Sequence, residues 1–170
     1  MALIKEINGI APSIPDDCYV AENATIVGNV IFGEQCSVWY NAVIRGDVNA
    51  IKIGNKVNIQ DGAVIHCTYL KHATTIGNNV SIGHNAIVHG CIIEDNVLIG
   101  MGAIVMDNCT VKSNVIIGAG SVVTQNSVLE SNAIYAGIPA KKVKDLEASA
   151  FKGEIERIAN NYIMYSSWQK

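Results

Sequence analysis

Three imidazoles, His66, His84 and His89, carry the sharpest chemistry in this sequence, and they stand in one stretch with Arg45, Asp47, Gln60 and Asp61. Neutral imidazole is a ligand for divalent metals. Three such ligands with the fourth position left to water make a catalytic centre in which the bound water becomes a nucleophile near neutral pH. The fourth histidine, His72, falls beside Tyr69 and Lys71 in an irregular segment and is assigned no role. Whether the three imidazoles meet depends on the elements that hold them.

Those elements repeat every six residues. Aliphatic markers recur at Val20, Ile26, Val38 and Ile44 with Phe32 as the one aromatic, then at Ile53, Ile59, Ile65, Ile76, Ile82 and Val88. The series continues through Ile93, Ile99, Val105, Val111, Ile117, Val123 and Leu129, which makes eighteen units, with Ile14 as a leading one. Four positions after the markers lie small or β-branched residues such as Ala24, Val30, Cys36, Ala42, Ala63, Ala86 and Ala103. Asn follows three positions after ten of the markers (Asn23, Asn29, Asn41, Asn79, Asn85, Asn96, Asn108, Asn114, Asn126 and Asn132) and suits a left-handed turn conformation. Two inward slots and one turn per six residues match a parallel β-helix with three units to a triangular coil, and exclude a helical period of 3.6. Eighteen units give about six coils.

The period breaks between Ile44 and Ile53, between Ile65 and Ile76, and between Val88 and Ile93, so loops are expected at two corners within residues 45–92. After Pro139 the spacing of Phe151, Ile155, Ile158, Tyr162 and Tyr165 predicts an amphipathic helix. The organisation expected is an all-β prism over residues 1–140 and a C-terminal α-helix within 141–170 packed along it. The segment before Ile14 is expected to cross the first coil and cover its edge.

The repeat converts sequence position into place. Units three apart share a face, so Arg45, His66 and His89, each directly after its marker, form one column. Histidines stacked ~4.8 Å apart can direct nitrogens at one ion. His84, two after its marker, belongs to a different face, directly above Asp61. A six-residue strand spans roughly 15–20 Å, so His84 does not reach that ion within its own chain. A cyclic trimer would bring it against the neighbouring column. Asp47 takes the turn slot and is expected to cap a corner. Gln60 and Asp61 stand where small residues are common, and suit a metal-bound water as well as they suit ordinary surface.

The chain has 170 residues, a net charge of −3, 49% hydrophobic residues and only 6% aromatic ones. No basic block exceeds Lys141, Lys142 and Lys144, which argues against nucleic acid and anionic membrane surfaces as partners. No apolar run approaches a membrane span, and the first residues do not read as a signal peptide, so a cytoplasmic location is expected. The Arg45-Gly46-Asp47 tripeptide therefore carries no adhesion meaning. Cys18, Cys36, Cys67, Cys91 and Cys109 are odd in number, without CxxC spacing, and are read as reduced thiols.

Arg45-Gly46-Asp47, Asn58-Ile59-Gln60-Asp61-Gly62, His66 and His84-Asn85-Ala86-Ile87-Val88-His89-Gly90 resemble the motifs of the gamma-class carbonic anhydrase family. The resemblance runs from about residue 10 to Ala136-Gly137-Ile138-Pro139-Ala140-Lys141. It implies a left-handed β-helix, a homotrimer, and His66, His84 and His89 as metal ligands; three imidazoles with an open position suit Zn2+ by default, with Fe2+ or Co2+ as alternatives. It also implies catalytic roles: Arg45 and Asp47 as an interfacial pair, Gln60 as hydrogen-bond partner of the metal water, Asp61 as partner of Arg45. Tyr162, in Asn161-Tyr162, is similar to a helix tyrosine that borders the site. The activity implied is that of a lyase hydrating CO2 reversibly to bicarbonate by a metal-bound hydroxide. Archaeal members of the family carry acidic proton-transfer residues where this chain has Val48 and Cys67-Thr68-Tyr69-Leu70-Lys71, a departure that points to slow or absent turnover. Two alternatives share the prism: a hexapeptide acyltransferase using acetyl-CoA and one histidine as base, and a non-catalytic metal-binding structural subunit.

Overall fold

Inward-pointing aliphatics at a six-residue interval wind the chain into a prism. The structure, a computed structural model, describes residues 1–169. Its strands form an 11-stranded and an 8-stranded sheet, parallel except at one end, that coil as a left-handed β-helix of about seven turns. The count exceeds six because Ala133–Ala136 pairs beyond Val115–Ile117, and Ser13 bridges to Ile31 ahead of the first marker. Marker isoleucines such as Ile26, Ile44, Ile65, Ile82 and Ile99 are fully buried, as are the small partners Ala24, Ala42, Ala63, Ala86 and Ala103. Each buried isoleucine contributes ~1.5–3 kcal/mol of apolar burial. All five cysteines are free, and all but Cys18 are buried.

Eight of the ten repeat asparagines, Asn41, Asn79, Asn85, Asn96, Asn108, Asn114, Asn126 and Asn132, adopt positive φ at the corners. Asn79, Asn96, Asn114 and Asn132 also join amide to amide up one corner at 2.8, 3.2 and 2.9 Å. Asn23 and Asn29 depart from the rule. Asn29 lies inside the long strand Thr25–Phe32, where Gly28 takes the positive φ instead.

The interval from Ile44 to Ile53, expected as a loop, is the continuous strand Val43–Ile53. Its first residues pair with Val64 and Ile65 on one face, and its last pair with Thr74–Ile76 on the next. Two faces thereby share one sheet. Gly28 and Gly46 make the stacking of these bent strands possible, since a Cβ on Gly28 would strike the backbone of Gly46 and a Cβ on Gly46 would strike the backbone of Asn29. Asp47 consequently sits in a strand and not in a corner turn. The interval from Ile65 to Ile76 does contain a loop, closed by a bridge between Thr68 and His72.

At the N-terminus, Leu3–Lys5 runs parallel to Thr25–Val27 and covers that sheet edge. At the other end, Lys141–Asp145 is an antiparallel strand against Ala133–Ala136, and the helical segment begins at Ala148. The segment takes a π-helical turn over Phe151–Glu156 and continues as an α-helix over Arg157–Ser167. Ile155 and Ala159 are buried, and Trp39 of the 8-stranded face meets Tyr162 edge-on at 5.2 Å. No helix among the described residues is long and apolar enough to cross a membrane.

Candidate metal centre

The strand register places the first two imidazoles together. Val64–His66 and Ile87–His89 pair in parallel with His89 opposite His66, so both rings leave the same side of the sheet with centroids 5.0 Å apart. His66 Nδ1 and His89 Nε2 face each other at 3.0 Å. The other ring nitrogen of each is engaged: His66 Nε2 stands 3.1 Å from Asp47 Oδ1, and His89 Nδ1 stands 3.0 Å from Asp107 Oδ2. Arg45 donates to the second Asp47 oxygen at 2.7 Å, and the Thr68 hydroxyl donates to the second oxygen of Asp107.

The electrostatics follow from these contacts. Burial pushes the Asp47 carboxyl up, but hydrogen bonds from Arg45 and His66 outweigh it and hold the group below its ordinary value. Asp107 behaves likewise, with Thr68 and His89 as donors. Burial, aided by Arg45 and His89, lowers His66 against the pull of Asp47. With the N–H of each imidazole donated in a hydrogen bond to its carboxylate, two lone pairs face one another, an arrangement that suits a cation between them. Their separation is close to the ~3.3 Å between two nitrogens of a tetrahedral site with bonds of ~2.0–2.1 Å. The donor set fits a divalent metal.

His84 stands on the 8-stranded face, its Nδ1 2.9 Å from Asp61 Oδ2, as the stacking of their units requires. This pair is the more open one, with side chains 39% and 41% exposed. Gln60 is buried, and its amide nitrogen donates to Asn58 Oδ1 at 3.0 Å, while Asn58 donates to Ser81 Oγ at 2.7 Å. Gln60, His84 and Tyr162 line one groove of about 380 Å³ between this face and the C-terminal helix. The Tyr162 phenol is pushed up to about 12, chiefly by burial and then by the Asp61 charge.

The sequence-derived residues thus fall into two groups. Arg45, Asp47, His66 and His89 come together on one face; Gln60, Asp61, His84 and Tyr162 gather on another. No group of three or more His, Cys, Asp or Glu able to hold a metal occurs among the described residues of one chain. Within the chain Arg45 pairs with Asp47, and Asp61 pairs with His84. Asp107 and Thr68 escaped the sequence reading. Asp107 stands two after Val105, three units beyond the Val88 unit, so the same face arithmetic points to it.

The model for the bacterial transferase hexapeptide family (six repeats) matches residues 73–103 and 90–125. A carbonic anhydrase of Geobacillus kaustophilus is 39% identical over 168 residues, covering 99% of this chain and 91% of the relative. Gamma carbonic anhydrase 1, mitochondrial, of Arabidopsis thaliana is 39% identical over 89% of this chain and 57% of its own length. A solved Bacillus cereus structure described as a putative acetyltransferase superposes with a TM-score of 0.96 at 36% identity, covering 99% of this chain and 96% of that one. Prism and repeat define a hexapeptide-repeat protein. Within that class, the chain belongs to the gamma-class carbonic anhydrase family.

Proposed function

We propose that the protein is a carbonic anhydrase that assembles as a homotrimer and hydrates CO2 to bicarbonate at a metal site shared between subunits. One observation carries this reading: each of the three histidines has one ring nitrogen held by a carboxylate, Asp47 for His66, Asp107 for His89 and Asp61 for His84. Carboxylate–imidazole pairs of this kind fix the ring and raise its basicity as a ligand. His66 and His89 of one subunit and His84 of the partner subunit would hold the ion, Zn2+ by default, with Fe2+ or Co2+ equally compatible with three imidazoles. When bound, the metal supplies Lewis acidity that lowers the pKa of water toward neutrality.

The remaining work belongs to the chain. Asp47 orients both the His66 ring and the Arg45 guanidinium, and Arg45, 45% exposed, attracts the anionic product. Gln60, its nitrogen tied to Asn58, keeps its amide oxygen as the acceptor for a reacting water. Tyr162 borders the same groove. Val48 and the loop after His66 provide no acidic proton acceptor, which favours slow turnover.

Metal content and molar mass, measured for the parent and for His84→Ala, test the proposal together with stopped-flow CO2 hydration. About one ion per chain in a trimer is expected, with strong loss in His84→Ala and a parent rate above the buffer blank. Full occupancy in His84→Ala refutes the shared site. A fully metallated trimer with a blank rate refutes the activity and leaves a structural metal-binding subunit. Saturable acetyl-CoA binding to metal-free protein supports the acyltransferase reading instead.

A further inference from the structure

We infer that the loop tip formed by Tyr69 and Leu70 seats in the groove beside His84 on the partner subunit and roofs the shared site; the inference rests on the trimeric reading above. The tip is held open at a cost. Leu70 adopts φ +51, a conformation that Gly or Asn takes far more readily. The turn around it is pinned by Thr68 N–H donating to His72 O at 3.0 Å, Lys71 N–H to Thr68 O at 3.2 Å, and Asn49 to Thr68 O at 3.3 Å. This fixed turn leaves Tyr69 66% and Leu70 78% exposed, two large side chains that are mostly uncovered in their own chain.

Height and reach select the groove as their destination. The Thr68 hydroxyl donates to Asp107, which lifts the loop from the coil of Ile65 to the coil of Val105. The loop rises over Gly90, where a Cβ would collide with His72 and Asp107. Met101 belongs to that same upper coil and stands directly above His84, with Gly102 N–H donating to His84 O at 2.8 Å. Tyr69 and Leu70 follow His66 by three and four residues, a reach of at most ~10–14 Å. His84 of the partner subunit meets His66 at the ion, so the tip arrives at Met101, which is 58% exposed at the groove. Leu98, Ala119 and Ile158 complete an apolar lining. An apolar roof over that groove gives an uncharged gas an apolar approach to the site.

The test is a Leu70→Cys, Met101→Cys double variant under mild oxidation, read on a non-reducing gel. A ladder of covalent oligomers that needs both substitutions and collapses with reductant is expected. A parent that is trimeric and metallated, with no linkage in the double variant beyond either single variant, overturns the roof and leaves the shared site standing. A monomeric parent overturns both. Independently, Leu70→Ser is expected to raise the concentration midpoint of trimer dissociation about tenfold or more, as losing a buried leucine requires. An unchanged midpoint overturns the roof even where the double variant fails to fold.

Discussion

The two faces that supply the histidines are built differently. On the Val64–His66 and Ile87–His89 face, strand pairing sets both rings, and carboxylates from two other coils lock them from either side. On the 8-stranded face a single imidazole rests on a single carboxylate at the open end of a groove. In the proposed trimer, one half of the site would be organised before assembly and the other completed by it. Affinity should therefore be concentrated in the first half, and dependence on oligomerisation in the second.

The largest effect is expected at the organised half. His66→Ala removes one of the two facing imidazoles and should reduce metal content to the background of an unloaded control, measured by elemental analysis; more than half occupancy would break the comparison. Next come the carboxylates. Asp107→Asn should weaken metal affinity about 10–100-fold in chelator competition, and Asp61→Asn by less, because its pair is wetter and contacts no second donor among the described residues. Equal losses would erase the asymmetry.

Acid should act on the organised half of metal-free protein. His66 is held below its ordinary 6.5, so as pH falls through 6.5 the unfolded chain takes up a proton that the folded chain resists. Stability that is full above 6.5 is lost down to the folded value. Asp47 and Asp107, held below 3.8, add a second loss under that pH. Melting temperatures in chelator should fall from pH 7.5 to 5.5, and less so in His66→Gln; an equal fall in that variant removes His66 as the cause. The smallest effect belongs to Tyr162→Phe. The phenol packs edge-on against Trp39 through its ring, so occupancy should change by less than about twofold, a limit checked by the same elemental analysis.

Much of this asymmetry was readable from spacing. A strict six-residue count puts His89 over His66 and His84 over Asp61, because parallel pairing keeps each slot in register from coil to coil. What spacing did not show are the places where the backbone leaves the count. Asp47 reads as a turn residue until Val43–Ile53 is seen to bend round the corner as strand, which turns its carboxylate toward His66. Thr68 reaches Asp107 only through a loop, and no periodicity describes loops. The four-and-three spacing of the C-terminal helix likewise carries no trace of the π-helical turn around Gly153.

The coil also acts as a ruler. His66 belongs to one coil, and His84 and His89 to the next, so the vertical offset among the three imidazoles is set locally. Turns could be added or trimmed at either terminus without changing it. One extra turn spliced between residues 67 and 83 would instead raise two of the three imidazoles by a full rung of ~4.8 Å, too far for the proposed site to close on one metal ion. Length is free at the ends of this molecule and fixed at its waist.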